Sequence, residues 1–290
     1  MDFAELGLDS LVSNLWYVPA SLVLLWFAKR VRDAVTPFDD DKELFENNNH
    51  ALGIATAGYY LGVMIAVLGV LTGGESAGFV LDVRDFAVYG LLAIIFLNVA
   101  RVVTDKLLLS KFSINKELIE DKNDGTGWAM FGVYVATGLI VRGAVGGESE
   151  SFVSGLGATF FYFLLAQVVL LLAGWAYQRM TSYDFHHEIG ENNNVAAGIA
   201  FMGFLSAIGV VVGSAAMGSV TVSLEDATGF LVWTVVGVVL LALTNAVVTE
   251  RIFVPGHKVA HEIAVDHNEG AAWLSVAAYQ AVAWFIVSSL

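Results

Sequence analysis

Four glutamates, Glu43, Glu117, Glu188 and Glu262, each open the same short pattern. Four residues later comes an amide or a second carboxylate, Asn47, Asp121, Asn192 or Asp266, and six later an asparagine, Asn49, Asn123, Asn194 or Asn268. Small residues follow, as at Ala51, Gly53 and Gly58 after the first copy. The consensus E-[LI]-x-x-[ND]-x-N-x-[AG]-x-[AG] supports two kinds of chemistry. Carboxylate and amide oxygens are ligands for hard cations, and rings of acidic side chains select cations at channel mouths, so these groups brought together would bind an ion or a small polar solute. Asn and Asp are also favoured helix N-caps, and helices starting among the small residues would use them that way. On one continuous helix the glutamate and the residue four later share a face, while the asparagine six later points about 120° away and can bridge to a neighbour. A break before the asparagine would make it the cap of the following helix.

The histidines His50, His186, His187, His257, His261 and His267 all lie on the motif side of the chain. His187 with Glu191, and His257 with His261, have the four-residue spacing with which one helix offers two ligands to a transition metal. Neither pair recurs in the other copies, and no metal or other cofactor is expected. The absence of cysteine excludes disulfides, thiolate metal sites and iron–sulfur ligation. No P-loop, H-E-x-x-H or G-x-S-x-G sequence is present. An enzyme is the least favoured class, because no nucleophile accompanies the Glu and Asn groups that could activate water.

The elements that position the motifs follow from composition. Of the 290 residues, 57% are hydrophobic and 14% charged, the balance of a membrane protein. Apolar windows at 14–34, 51–72, 86–108, 127–146, 152–178, 195–217, 227–249 and 270–289 are each long enough to cross a bilayer as a helix. They predict an all-α, polytopic bundle of about eight transmembrane helices. Twelve of the fourteen Lys and Arg residues fall on one side, and only Arg84 and Arg142 on the other. The positive-inside rule makes the rich side cytoplasmic and puts both termini outside. The formal charge of −14 argues against a nucleic-acid partner. The outward ends and loops carry Asp2, Glu5, Asp9, Glu75, Asp82, Asp85, Glu148, Glu150, Glu225 and Asp226, nearly uncompensated, a surface suited to high salt. Trp16, Trp26, Trp128, Trp175 and Tyr177 fit interfacial belts, and Asn98, Gln167, Asn245 and Gln280 are polar groups within spans that can bond across helices.

Glu43 and Glu188 are 145 residues apart, as are Glu117 and Glu262, and 145 is half the chain. The chain is therefore a tandem duplication, 1–145 and 146–290, each half holding two units of a plain span, a motif and a second span. Two spans per unit give all four units one orientation and put all four motifs on the cytoplasmic side. The units either close around a common axis, with the motifs ringing its mouth, or stand as two pairs.

Through Thr36-Pro37-Phe38 to Glu46-Asn47-Asn48-Asn49-His50-Ala51, and again from Glu188 to Asn194-Val195-Ala196-Ala197, the chain resembles the prokaryotic membrane proteins of domain of unknown function family 350. Members resemble one four-span half, so the resemblance covers this chain as two fused copies. It implies an integral inner-membrane protein with no activity to carry onto residues; neighbours of the peptide-ligase-like or envelope-stress kind would suit a scaffold. Two functions stand open. One is a channel or transporter for an ion or small polar solute, entered through the four motifs; the other is a non-catalytic membrane scaffold docking a cytoplasmic protein.

Overall fold

The computed structural model describes residues 15–72, 78–147, 149, 151–217, 221–253 and 255–289, without the side chains of 244–246 and 250. Helices account for every regular element among them: α1 (Tyr17–Val35), a π-helical turn (Lys42–Glu46), α2 (His50–Thr72), α3 (Phe79–Val103, continued by the π-helical turn Thr104–Leu108), α4 (Ile114–Ile119) and α5 (Asp124–Val145). The second half has α6 (Phe152–Met180), α7 (Phe185–Gly190), α8 (Val195–Met217), α9 (Leu224–Val247, continued by the π-helical turn Val248–Phe253), α10 (Val259–Ala264) and α11 (Glu269–Ser289).

Seven helices among the described residues are long and apolar enough to cross a membrane, where eight spans were expected. The difference is α1, whose second half carries Lys29, Arg30, Arg32 and Asp33. Arg32 is nevertheless buried, its Nε donating to Asp40 Oδ2 at 2.5 Å. In the second half of the chain Tyr177 and Phe185 hold the same two positions, with ring centroids 5.7 Å apart. An apolar pair standing in for a buried ion pair fits the near-neutral balance between desolvation and attraction in such pairs. Tyr177 is thus a core residue and not part of a belt, its hydroxyl 3.0 Å from that of Tyr183. Trp26 and Trp175 remain exposed, each under an arginine, Arg30 and Arg179.

Helix α3 begins at Phe79, seven residues before the expected boundary at 86. Asp82 sits in its first turn, where the helix dipole favours an acid. Arg84 pairs with Asp85 at 2.7 Å and lies over the Phe152 ring, so these charges extend the helix instead of delaying it. Asp2, Glu5, Asp9, Glu75, Glu148 and Glu150 of the expected acidic outer surface lie outside the described residues, as does the Asn245 side chain. Asn98 donates to Tyr59 Oη at 3.2 Å and Gln280 to Ser206 Oγ at 2.8 Å, the expected bonds between helices.

The architecture has two layers. The motif-led spans α2, α5, α8 and α11 form a row in which each packs along its length against the next. The other spans cover it: α3 lies against α2 and α5, α6 against α5 and α8, α9 against α8 and α11, and α1 against α2 and α3. Helices α2 and α11 are the ends of the row, so the motifs do not ring a mouth. Within the row α8 is almost wholly buried and α5 mostly so, whereas α2 and α11 keep open faces.

Lipid tails are as apolar as leucine, so the row is held by close packing and interhelical bonds and not by water exclusion. A methyl group on Gly58 would stand 2.5 Å from Phe131 Cα, and one on Gly132 2.6 Å from Met202 Cα. Backbone meets backbone there, and nothing flexible can yield. Gly132→Val should therefore cost about 1–3 kcal/mol by overpacking. Gly229→Ala, where the added atom meets nothing, should be neutral or gain up to about 1 kcal/mol. Denaturation in detergent checks both, and equal effects would contradict the packing argument.

Candidate functional site

The four motifs have one backbone conformation. A short helix or π-helical turn carries the glutamate, and the residue five later adopts left-handed φ: 49° at Asn48, 49° at Lys122, 51° at Asn193 and 50° at His267. Asparagine tolerates this region better than most residues, which accounts for the middle Asn of the two Asn triplets. The turn sends the asparagine N–H back to the glutamate carbonyl: Asn49 to Glu43 at 3.0 Å, Asn123 to Glu117 at 2.8 Å, Asn194 to Glu188 at 2.9 Å and Asn268 to Glu262 at 2.8 Å. Of the two arrangements open to the motif, this is the broken one, in which the asparagine caps the following span. The chain does not continue as one helix.

Each of these asparagines then does two things, and the first three do a third. Its Oδ1 accepts the N–H of Leu52, Thr126, Ala197 or Ala271, at 2.9 to 3.2 Å, as the N-cap of the following span. Its Nδ2 donates to Oε2 of its own glutamate, at 3.4 Å for Asn49 on Glu43 and 2.8 to 3.0 Å in the other copies. In the first three copies Nδ2 also donates to a backbone carbonyl of the next unit: Asn49 to Leu118 at 2.8 Å, Asn123 to Ile189 at 2.6 Å and Asn194 to Ile263 at 2.8 Å. These acceptors follow the next glutamate directly. Their apolar side chains are buried, which gives the [LI] position of the consensus a physical reason. Asn49, Asn123 and Asn194 are buried, while Asn268, with no unit beyond it, is exposed.

The fourth position varies. Asn47 and Asn192 donate to Oε1 of Glu43 and Glu188, at 2.8 and 3.1 Å. Asp121 turns to Lys116 at 2.8 Å, and Asp266 lies 3.9 Å from His261. Further polar contacts cross between units: His50 Nδ1 is 2.7 Å from Asp124 Oδ2, Lys122 Nζ donates to the Asn47 carbonyl at 2.8 Å, and His267 Nε2 is 3.8 Å from Glu188 Oε2. His187 pairs with Glu191 at 3.1 Å, but His257 turns to Glu262, at 3.1 Å, so it does not share a partner with His261. Among the described residues no three His, Asp or Glu side chains gather as a metal site.

Glu117 and Glu262 differ in acidity. Burial pushes the Glu117 carboxyl above its ordinary value, with the Asn123 amide opposing. Glu262, at the end of the row, is held below its ordinary value by the amide of Asn268 and by His257.

The family model for Domain of Unknown Function (DUF350) matches residues 5–145 and again 151–290. The chain belongs to the DUF350 family. It holds two DUF350 copies, and each copy contains two motifs. It is 24% identical over 237 residues to a UPF0719 transmembrane protein of Aquifex aeolicus (strain VF5), a match covering 80% of this chain and 85% of that protein. No solved structure matches. The DUF350 protein is thus a multi-pass helical membrane protein whose repeated motif caps spans and joins units.

Two predictions follow from the joints. Asn194→Ala removes a cap and a bond to a carboxylate and leaves the buried Ile263 carbonyl without a donor, so it should cost about 3 kcal/mol; Asn268→Ala loses chiefly an exposed cap and should cost about 1 kcal/mol. Equal losses on denaturation would contradict the inter-unit role of Asn194. The second concerns pH. With its folded pKa raised, Glu117 contributes stability below the ordinary glutamate value of 4.5 that is lost as pH rises through the folded value. The Glu117→Gln variant should gain on the wild type as pH rises toward neutral. Glu262, with its pKa lowered, contributes above 4.5 and loses that contribution as pH falls through the folded value. Glu262→Gln should be less stable than wild type at neutral pH and converge with it in acid.

Proposed function

We propose that this DUF350 protein is a non-catalytic scaffold of the cytoplasmic membrane, its motif-bearing end facing the cytoplasm and docking a soluble protein. The observation that carries this reading is that the motif amides are consumed in building the row: Asn49, Asn123 and Asn194 spend both amide hydrogens on their own glutamate and the next unit's carbonyl. A pore or transporter entered through the motifs requires carboxylate oxygens turned to a shared water path. Here Glu43 and Glu188 each accept two amides of their own copy, and the units stand in a row, which gives them no common axis. The bias of Lys and Arg, twelve of fourteen on the motif side, supports the inward orientation. At that end Phe45 is 82% exposed between Glu46 and Lys42 on the first π-helical turn, and aromatic side chains are favoured anchors at protein interfaces.

Ion and proton flux into proteoliposomes tests the reading. The wild type and a Glu43→Gln, Glu188→Gln variant should both match protein-free vesicles. Flux through the wild type that changes selectivity or disappears in the variant overturns the scaffold and restores the pore. Phe45→Ala should leave stability within about 0.5 kcal/mol of wild type while weakening recovery of the soluble partner from cross-linked membranes.

A further inference from the structure

Three joints of one construction hold the row, and the pattern stops with its complementary halves open at the two ends. In each joint a small residue of one unit faces a defined residue of the next. A methyl group on Gly58 would stand 3.0 Å from Phe131 Cβ, one on Gly132 3.2 Å from Met202 Cβ, and one on Gly203 3.0 Å from Val276 Cβ. The fourth member of this series is Ala277 of α11 with Ala57 of α2. Both are exposed, at opposite ends of the row. The polar half of the joint is open in the same way. Asn268 donates to Glu262, but among the described residues it has no next-unit carbonyl, and no side chain donates to the carbonyl of Leu44, the counterpart of Leu118, Ile189 and Ile263.

We propose that a second copy of this chain docks head-to-tail, its α2 against the α11 of the first, as a fourth joint of the same kind. Asn268 of one copy then donates to the Leu44 carbonyl of the other. The inference rests on the repeat geometry and stands apart from the scaffold reading.

Two further features fit this occupant. Gly127, in the second unit, is pressed against the Ala51 backbone, a methyl there lying 2.6 Å from its carbonyl oxygen, but its counterpart Gly53 meets only the Leu44 side chain, at 3.7 Å. A glycine inside a helix is destabilising relative to alanine, and a partner backbone at Gly53 offsets that cost by close approach. Helices α3, α6 and α9 each cover the groove between two motif-led spans, whereas α1 covers only α2 and leaves Leu22, Val23 and Trp26 exposed. Docking would give α1 the second wall that its counterparts have. Met64 stands where the internal joints have Gly138, Gly209 and Ala283, so the copies approach more closely at the motif end than in mid-membrane. Such a contact is heterologous and yields a ring if it closes and an open row if it does not.

The natural absence of cysteine makes the test direct. With Ala57→Cys and Ala277→Cys in one chain, a Cβ separation like those of the internal joints lies near the range of about 3.5–4.5 Å that a disulfide bridges. Oxidation in native-like membranes should give a ladder of linked copies from the double variant and single chains from either single variant. Single chains from the double variant, leaving lipid as the occupant of both faces, overturn the proposal. So does linkage by either single variant to the same extent, which marks a two-fold or random contact. Independently, the wild type in nanodiscs should have the mass of more than one chain, and Ala277→Trp should reduce it to one chain with helical content retained. An assembly of unchanged mass in that variant also overturns the proposal.

Discussion

The carboxamide of the asparagine that ends each motif is the group on which the arrangement depends. It has two N–H donors and one carbonyl, and in the first three units all are used at once: the oxygen caps a span, one hydrogen bonds the local glutamate, and the other bonds the next unit's backbone. A buried amide left unpaired costs several kcal/mol, so at Asn123 and Asn194, which have almost no exposure, the geometry is confined to arrangements that supply every partner. The next unit must present the carbonyl after its own glutamate at one height and distance. Cap, turn and unit spacing are thereby one constraint.

The remaining features follow from that joint. Because the first three units each reach the carbonyl of the next in the same sense, units add in one direction and the row has two unlike ends. Small residues such as Gly58 and Gly132 let the spans approach as closely as the asparagine bonds require, and the covering helices α3, α6 and α9 fill the grooves so formed. Position along the row then differentiates equivalent residues. Glu117, inside it, has its carboxyl pushed up by burial, and Glu262, at its open end, is held down by hydrogen bonds.

Much of this was legible in the residues. The helical bundle, the duplication and the capping role of Asn49 and its equivalents come from apolar length, spacing and residue type. Misreadings occurred where a distant residue alters a local rule. Arg84 and Asp85 look like a loop, but Asp85 pairs with Arg84 and Phe152 covers Arg84 from another helix, so α3 begins at Phe79. Tyr177 looks like a belt residue, but Phe185 and Tyr183 enclose it. At Asn49 the sequence left a continuous helix and a capping break both open, and a single left-handed residue, Asn48, decides for the break.

By itself the sequence determined the helices, the four equivalent units and their common orientation, because hydropathy, period and the spacing of charged residues are local properties of the chain. Only the tertiary structure decided that the units form a row and that Asn49, Asn123 and Asn194 reach the carbonyls of Leu118, Ile189 and Ile263. The physical reason is that these acceptors are backbone atoms, which every residue possesses and which no residue type marks. Which carbonyl an amide reaches depends on how closely two helices approach, and that distance belongs to the packed row.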